Sequence, residues 1–262
     1  MSNMLRFEFR KMFRGKALWI CSGVVLLMVG ISLGTIIAFQ DMITESMNAA
    51  SSSGGVYVSI ADAFQYSGKY FLSSALSNIT TILAVFVPIF VTHDFSHGVL
   101  KTVVSRGCKR TNILAAKVIA VLVAALIFSA VAMVSSVAIS TAKWGFGGSV
   151  DWHFFAGLLT QILIIFTMAC FYFSISMLIR KTGGSIAVCV VSMTVLSLIF
   201  TLIEVLADND KISHFHLETM LSKLSTVSPD SGLMLRYAVT CVAYLAVMAV
   251  LNTLFFRRID IG

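Results

Sequence analysis

The sequence predicts an all-α integral membrane protein with six spanning helices, and three observations carry that expectation. The 262 residues are 58% hydrophobic and only 12% charged, where a soluble domain carries about 25% charged residues. Six apolar stretches each reach the roughly 20 residues that a spanning helix needs. The basic residues alternate between the connections, heavy on one side and sparse on the other.

The six stretches are residues 17–39, 71–91, 118–142, 154–179, 182–203 and 237–256, and none holds a charged residue. The third observation fixes their direction. Arg6, Arg10, Lys11, Arg14 and Lys16 precede the first stretch. Lys101, Arg106, Lys109, Arg110 and Lys117 lie between the second and third. Arg180 and Lys181 separate the fourth and fifth, and Arg257 and Arg258 follow the sixth. These are fourteen of the nineteen Lys and Arg residues; Lys69, Lys143, Lys211, Lys223 and Arg236 fall on the other side. The bias places both termini in the cytoplasm. The net charge of +7 then follows from topology, and no nucleic-acid partner is expected, because the basic residues flank spans and form no soluble basic face.

Length leaves room for one membrane domain, residues 1–262, and for no further folded domain of ordinary size. Before the first span, residues 2–16 mix Arg and Lys with Met4, Leu5, Phe9, Met12 and Phe13 at three- and four-residue spacing. That pattern predicts a helix lying in the membrane interface. The first apolar run is too long for a cleaved signal, and Gln40-Asp41-Met42 is no small-residue cleavage site. Cys21, Cys170, Cys189 and Cys241 fall inside spans and Cys108 in a cytoplasmic connection, so they read as small apolar side chains.

The connection between spans five and six differs from the others. Phe215, Leu217, Met220, Leu221 and Leu224 recur at helical spacing, predicting a short amphipathic helix on or in the outer leaflet. Five large apolar residues so close together are expected to be held by the bilayer or an opposing subunit and to form an outer gate.

Most chemistry is excluded. There is no phosphate-binding G-x-x-x-x-G-K-[ST] loop and no nucleophile motif. No charge lies mid-span, as an ion or proton relay requires. His93-Asp94-Phe95-Ser96-His97 has two histidines at i and i+4, the spacing of a zinc-protease helix. It has Asp where that pattern has Glu, and no evident third ligand. No metal or catalytic residue is therefore expected.

The connection after span two carries the strongest signal. It runs Asp94-Phe95-Ser96-His97-Gly98-Val99-Leu100-Lys101-Thr102-Val103-Val104-Ser105-Arg106, then a basic turn and Ile113-Leu114-Ala115-Ala116-Lys117 entering span three. Its short apolar helix could seat in a partner's groove. This sequence resembles the type-two permeases of ATP-binding-cassette exporters. The match runs through an acidic residue after span two, Gly-x-Leu-Lys, a small apolar helix, Ser-Arg, and Ile-Leu-x-x-Lys. The closing Phe256-Arg257-Arg258-Ile259-Asp260 is similar too.

The resemblance implies a coupling helix that contacts a separate ATPase subunit, with Asp94, Gly98, Leu100, Lys101, Val103, Val104, Ser105 and Arg106 as the coupling residues. It also implies a second permease chain, identical or sister. ATP and Mg would sit on the ATPase, with no cofactor in this chain. The expected cargo is hydrophobic or amphipathic, a peptide, toxin or antibiotic, exported across a bacterial cell membrane. The alternatives are a membrane enzyme around His93 and His97, or a non-transporting scaffold.

Overall fold

The computed structural model describes residues 2–52, 68–96, 110–145, 152–207, 213–225 and 231–258, and every element among them is helical. The helices are α1 (Ser2–Arg14), α2 (Lys16–Ser52), α3 (Gly68–Ala75), α4 (Ile79–Ser96), α5 (Arg110–Trp144), α6 (Trp152–Ile179), α7 (Thr182–Ala207), α8 (Leu217–Leu224) and α9 (Ser231–Arg258). Short 3₁₀ turns at Leu76–Asn78 and Ser213–Phe215 join α3 to α4 and lead into α8. Among the described residues six segments are long and apolar enough to cross a membrane: Lys16–Phe39, Phe71–Phe95, Thr111–Trp144, Trp152–Ile179, Thr182–Leu206 and Ser231–Phe255. The protein is an all-α, multi-pass membrane protein.

Two spans outrun their apolar stretches. Span two continues past Val91 to Phe95, and span three begins at Thr111, ahead of Val118. The charges of Asp94 and Lys117 suggest the membrane edge in sequence. Both side chains are buried, each only 1% exposed, so the helices carry them into the bundle.

Burial divides the spans into a core and a rim. Spans two, four and three are the most buried; spans one, five and six present most of their residues outward. α4 packs on α6, α7 and α2, and α6 also holds α5, α7 and α9. Phe86 of α4 meets Phe128 of α5 edge to face at 5.0 Å, a geometry that aromatic quadrupoles favour.

Pro88 sits inside α4, where it cannot donate to the helical ladder. The Thr92 hydroxyl donates to the Pro88 carbonyl at 2.7 Å. With its proton so used, Thr92 accepts from the Thr182 hydroxyl at 2.9 Å, tying the proline turn to the start of α7.

Only Arg180 and Lys181 separate α6 from α7. Gly183 and Gly184 belong to the first turn of α7; the chain reverses at Arg180, which takes the left-handed conformation at φ 58°. Gly184 serves packing, since a Cβ there would come within 3.2 Å of the Ile179 side chain.

Candidate functional site

Four charged side chains meet where α1 packs beside α4 and α5. Asp94, near the end of α4, receives Lys11 of α1 on Oδ1 and Lys117 of α5 on Oδ2. Lys117 Nζ also lies 3.1 Å from Glu8 Oε1. Lys11 reaches the Phe90 carbonyl at 3.5 Å and stands over the Phe90 ring at 4.6 Å. His93, about half exposed, places Nδ1 3.7 Å from Asp94 Oδ1.

Helical spacing builds this group. Met4, Glu8 and Met12 follow one another by four residues, and Lys11 follows Glu8 by three, so they share a face of α1. Glu8 and Met12 are buried, while Phe7 and Phe13 point outward at 44% and 48% exposed. The buried face of α1 is therefore centred on Glu8, and Phe13 is not part of it. Gly15 joins α1 to α2, and a Cβ there would crowd the Lys11 carbonyl of the preceding turn at 3.0 Å.

Two ammonium groups and two carboxylates bring the cluster to neutrality. Taking ions out of water costs several kcal/mol each, and only close pairing offsets that. Burial pulls the Lys11 ammonium below its ordinary value, and the Glu8 carboxylate counters part of the shift. The balance explains how so much charge fits at the edge of an apolar bundle. It joins three helices, and two of them flank the 97–109 connection.

Of the residues assigned to coupling, Asp94 is thus at the centre of the cluster. Gly98, Leu100, Lys101, Val103, Val104, Ser105 and Arg106 lie outside the described residues, as does His97. Among the described residues no three His, Cys, Asp or Glu side chains come together as a metal site would require. Glu8 was not singled out in sequence. Its signal is that it is the chain's first acidic residue, set in a basic helix and four residues from both Met4 and Met12.

The residues assigned to the outer gate lie toward the other end of the bundle. The apolar face of α8 turns into its own chain: Leu217, Met220, Leu221 and Leu224 are buried, Met220 and Leu224 completely. The expectation that bilayer or an opposing subunit holds this face gives way to intrachain packing, chiefly on α6. Only Phe215, at 51%, remains open.

The segment folds back along α9. The Phe215 carbonyl accepts from the Tyr244 hydroxyl at 3.2 Å, and Tyr244 lies about 20 Å along α9 from its first residue at 1.5 Å per residue. His214 Nδ1 pairs with the Tyr237 hydroxyl at 2.6 Å. At the far end, the Leu224 carbonyl accepts from the Ser73 hydroxyl at 3.3 Å, and Ser73 accepts in turn from Gln161 Nε2 at 2.8 Å.

No curated protein matches the chain. A family match covers residues 19–262, taking in the 97–109 connection, the 213–225 segment and all six spans except the first three residues of span one. On that extent the chain belongs to the family described as "Protein of unknown function (DUF2705)".

Proposed function

We propose that this chain is the membrane subunit of an ATP-binding-cassette exporter, driven by a separate ATPase that docks on the 97–109 connection. The observation that supports this most is the charge cluster. Asp94 and Lys117 bracket the connection, and both are locked to α1 and to each other. A displacement applied to the connection would move the ends of spans two and three together with α1, as one body. That is what a coupling element has to do: convert a push at the membrane surface into a shift of packed helices.

In this proposal the basic end of the bundle and both termini face the cytoplasm of a bacterium, following the charge bias. Two permease chains, identical or sister, form the path between them. The ATPase subunits carry ATP and Mg and perform all the bond chemistry, and this chain supplies shape and surface. The absence of charge from the middle of the spans suits a hydrophobic or amphipathic cargo of the peptide, toxin or antibiotic kind.

The test is assembly. Tagged chain, extracted from its native membrane, should carry an ATP-binding-cassette ATPase whose hydrolysis depends on the complex. Leu100→Asp places a charge in an apolar socket at a cost of several kcal/mol, so association should fall at least about tenfold at 1.4 kcal/mol per decade. Leu100→Val should retain it. Absence of such an ATPase from the wild-type complex, or normal coupling in Leu100→Asp, overturns the proposal.

A further inference from the structure

Beneath the 213–225 segment, between α6, α7 and α9, lies a pocket of about 230 Å³. Phe171 of α6, Met193 and Phe200 of α7, Met248 of α9, and Phe215 and Leu217 of the segment form its apolar wall. It exceeds the roughly 150 Å³ that admits a benzene molecule in an apolar protein interior.

Three polar side chains also line it: Thr167, Tyr244 and His216. Two already donate their protons elsewhere. The Thr167 hydroxyl donates to the Leu163 carbonyl at 2.9 Å, and the Tyr244 hydroxyl donates to Phe215. His216 is different. It is 3% exposed, its Nδ1 faces the Thr219 hydroxyl at 3.2 Å, and its ring lies 5.5 Å from that of Phe200. Its Nε2 is buried with no hydrogen-bond partner among the described residues.

A buried polar atom without a partner is costly, so this one points to a ligand. Water could satisfy His216 Nε2 but would leave the apolar wall unfilled. The apolar wall calls for a hydrocarbon, and Nε2 calls for one oxygen beside it. Burial holds the imidazole below its ordinary value, with Glu218 opposing. The ring is then uncharged at neutral pH and suits an uncharged head.

We infer that this pocket binds the alkyl chain of an amphipathic molecule whose uncharged oxygen head, a hydroxyl or an ester carbonyl, hydrogen-bonds His216 Nε2. The inference goes beyond the transporter proposal and stands without it, since binding needs no ATPase. Two sources share this chemistry: a diacyl lipid of the bilayer and a single-chain amphiphile.

The full chain is reconstituted in phosphatidylcholine nanodiscs with one of three diazirine probes: a dodecanol, the matching dodecane, or a phosphatidylcholine labelled in one acyl chain. After irradiation the labelled peptides are mapped. The dodecanol probe is expected to label the stretches around Phe200 and Phe215 severalfold more than the dodecane, and unlabelled dodecanol should compete. His216→Leu should bring the two probes to parity, and His216→Gln should keep the preference. Leu196 also lines the pocket, and Leu196→Trp or the milder Met193→Phe should fill it and reduce labelling there severalfold. Competed, His216-dependent labelling by the diacyl probe assigns the site to bilayer lipid; its restriction to dodecanol assigns it to a single-chain molecule. Equal labelling by alcohol and alkane in the wild type overturns the inference, as does labelling spread along Leu198 and Leu202 without competition.

Discussion

Lys117 has almost no contact with solvent and two carboxylates to answer, Asp94 and Glu8. Removing its charge alone leaves Asp94 and Glu8 against the single ammonium of Lys11. Breaking a buried ion group in this way costs about 3–5 kcal/mol. Lys117→Met should therefore lower the thermal midpoint of the detergent-solubilised chain markedly. Adding Glu8→Gln returns the site to one carboxylate and one ammonium, so the double variant should recover part of the loss. Additive losses on thermal unfolding would show that the four groups do not share one charge balance. Asp94 stood out in sequence through its place in the coupling pattern, and Lys117 through topology. Glu8 did not, because periodicity alone assigns a charge on an amphipathic helix to its polar face. Only the pairing across three helices reverses that assignment.

At the scale of elements, the α8 segment was legible and its orientation was not. The spacing of Leu217, Met220, Leu221 and Leu224 specifies an apolar face, but the same face can meet lipid or its own bundle. The deciding signal lies elsewhere in the chain, in Ser73 and Gln161, two polar residues within spans that hydrogen-bond toward the end of α8. Likewise, Asp94 and Lys117 shortened the apparent spans because their partners lie far away in sequence. Ser73→Ala removes the link in that chain of hydrogen bonds, leaving Gln161 Nε2 and the Leu224 carbonyl without it. At about 1–3 kcal/mol for a stranded group, amide exchange across Leu217–Leu224 should accelerate of the order of ten- to a hundredfold. Ser77→Ala removes only a local bond to the Ser74 carbonyl at 2.7 Å and should leave exchange in that segment unchanged. Equal acceleration in both variants would show that Ser73 does not anchor the segment.

The whole molecule inverts the rule by which a soluble protein is read. Its rim spans expose Val191, Val195, Leu198 and Val205, all on α7. In water such positions would be the replaceable ones, since a substitution at an exposed site usually changes stability little. In lipid the same exposure places them in hydrocarbon, and depth sets the cost of a charge. Val195 lies near the middle of the Thr182–Leu206 span, Val205 near its end. An arginine at a span centre costs about 2.5–3.5 kcal/mol on insertion scales, and one near the end can extend its head to the interface. Val195→Arg should therefore sharply reduce the membrane-inserted, monodisperse fraction. Val205→Arg, although Val205 is the more exposed at 74% against 44%, should insert nearly as well as the wild type. The readout is carbonate-resistant protein followed by size-exclusion chromatography. If burial within the chain governed tolerance, as it does in water, Val205→Arg would be at least as well tolerated, but Val195→Arg would also pass with little loss. Only a lipid-facing rim makes the two exposed valines differ this strongly, so equal insertion of both variants would remove α7 from the rim.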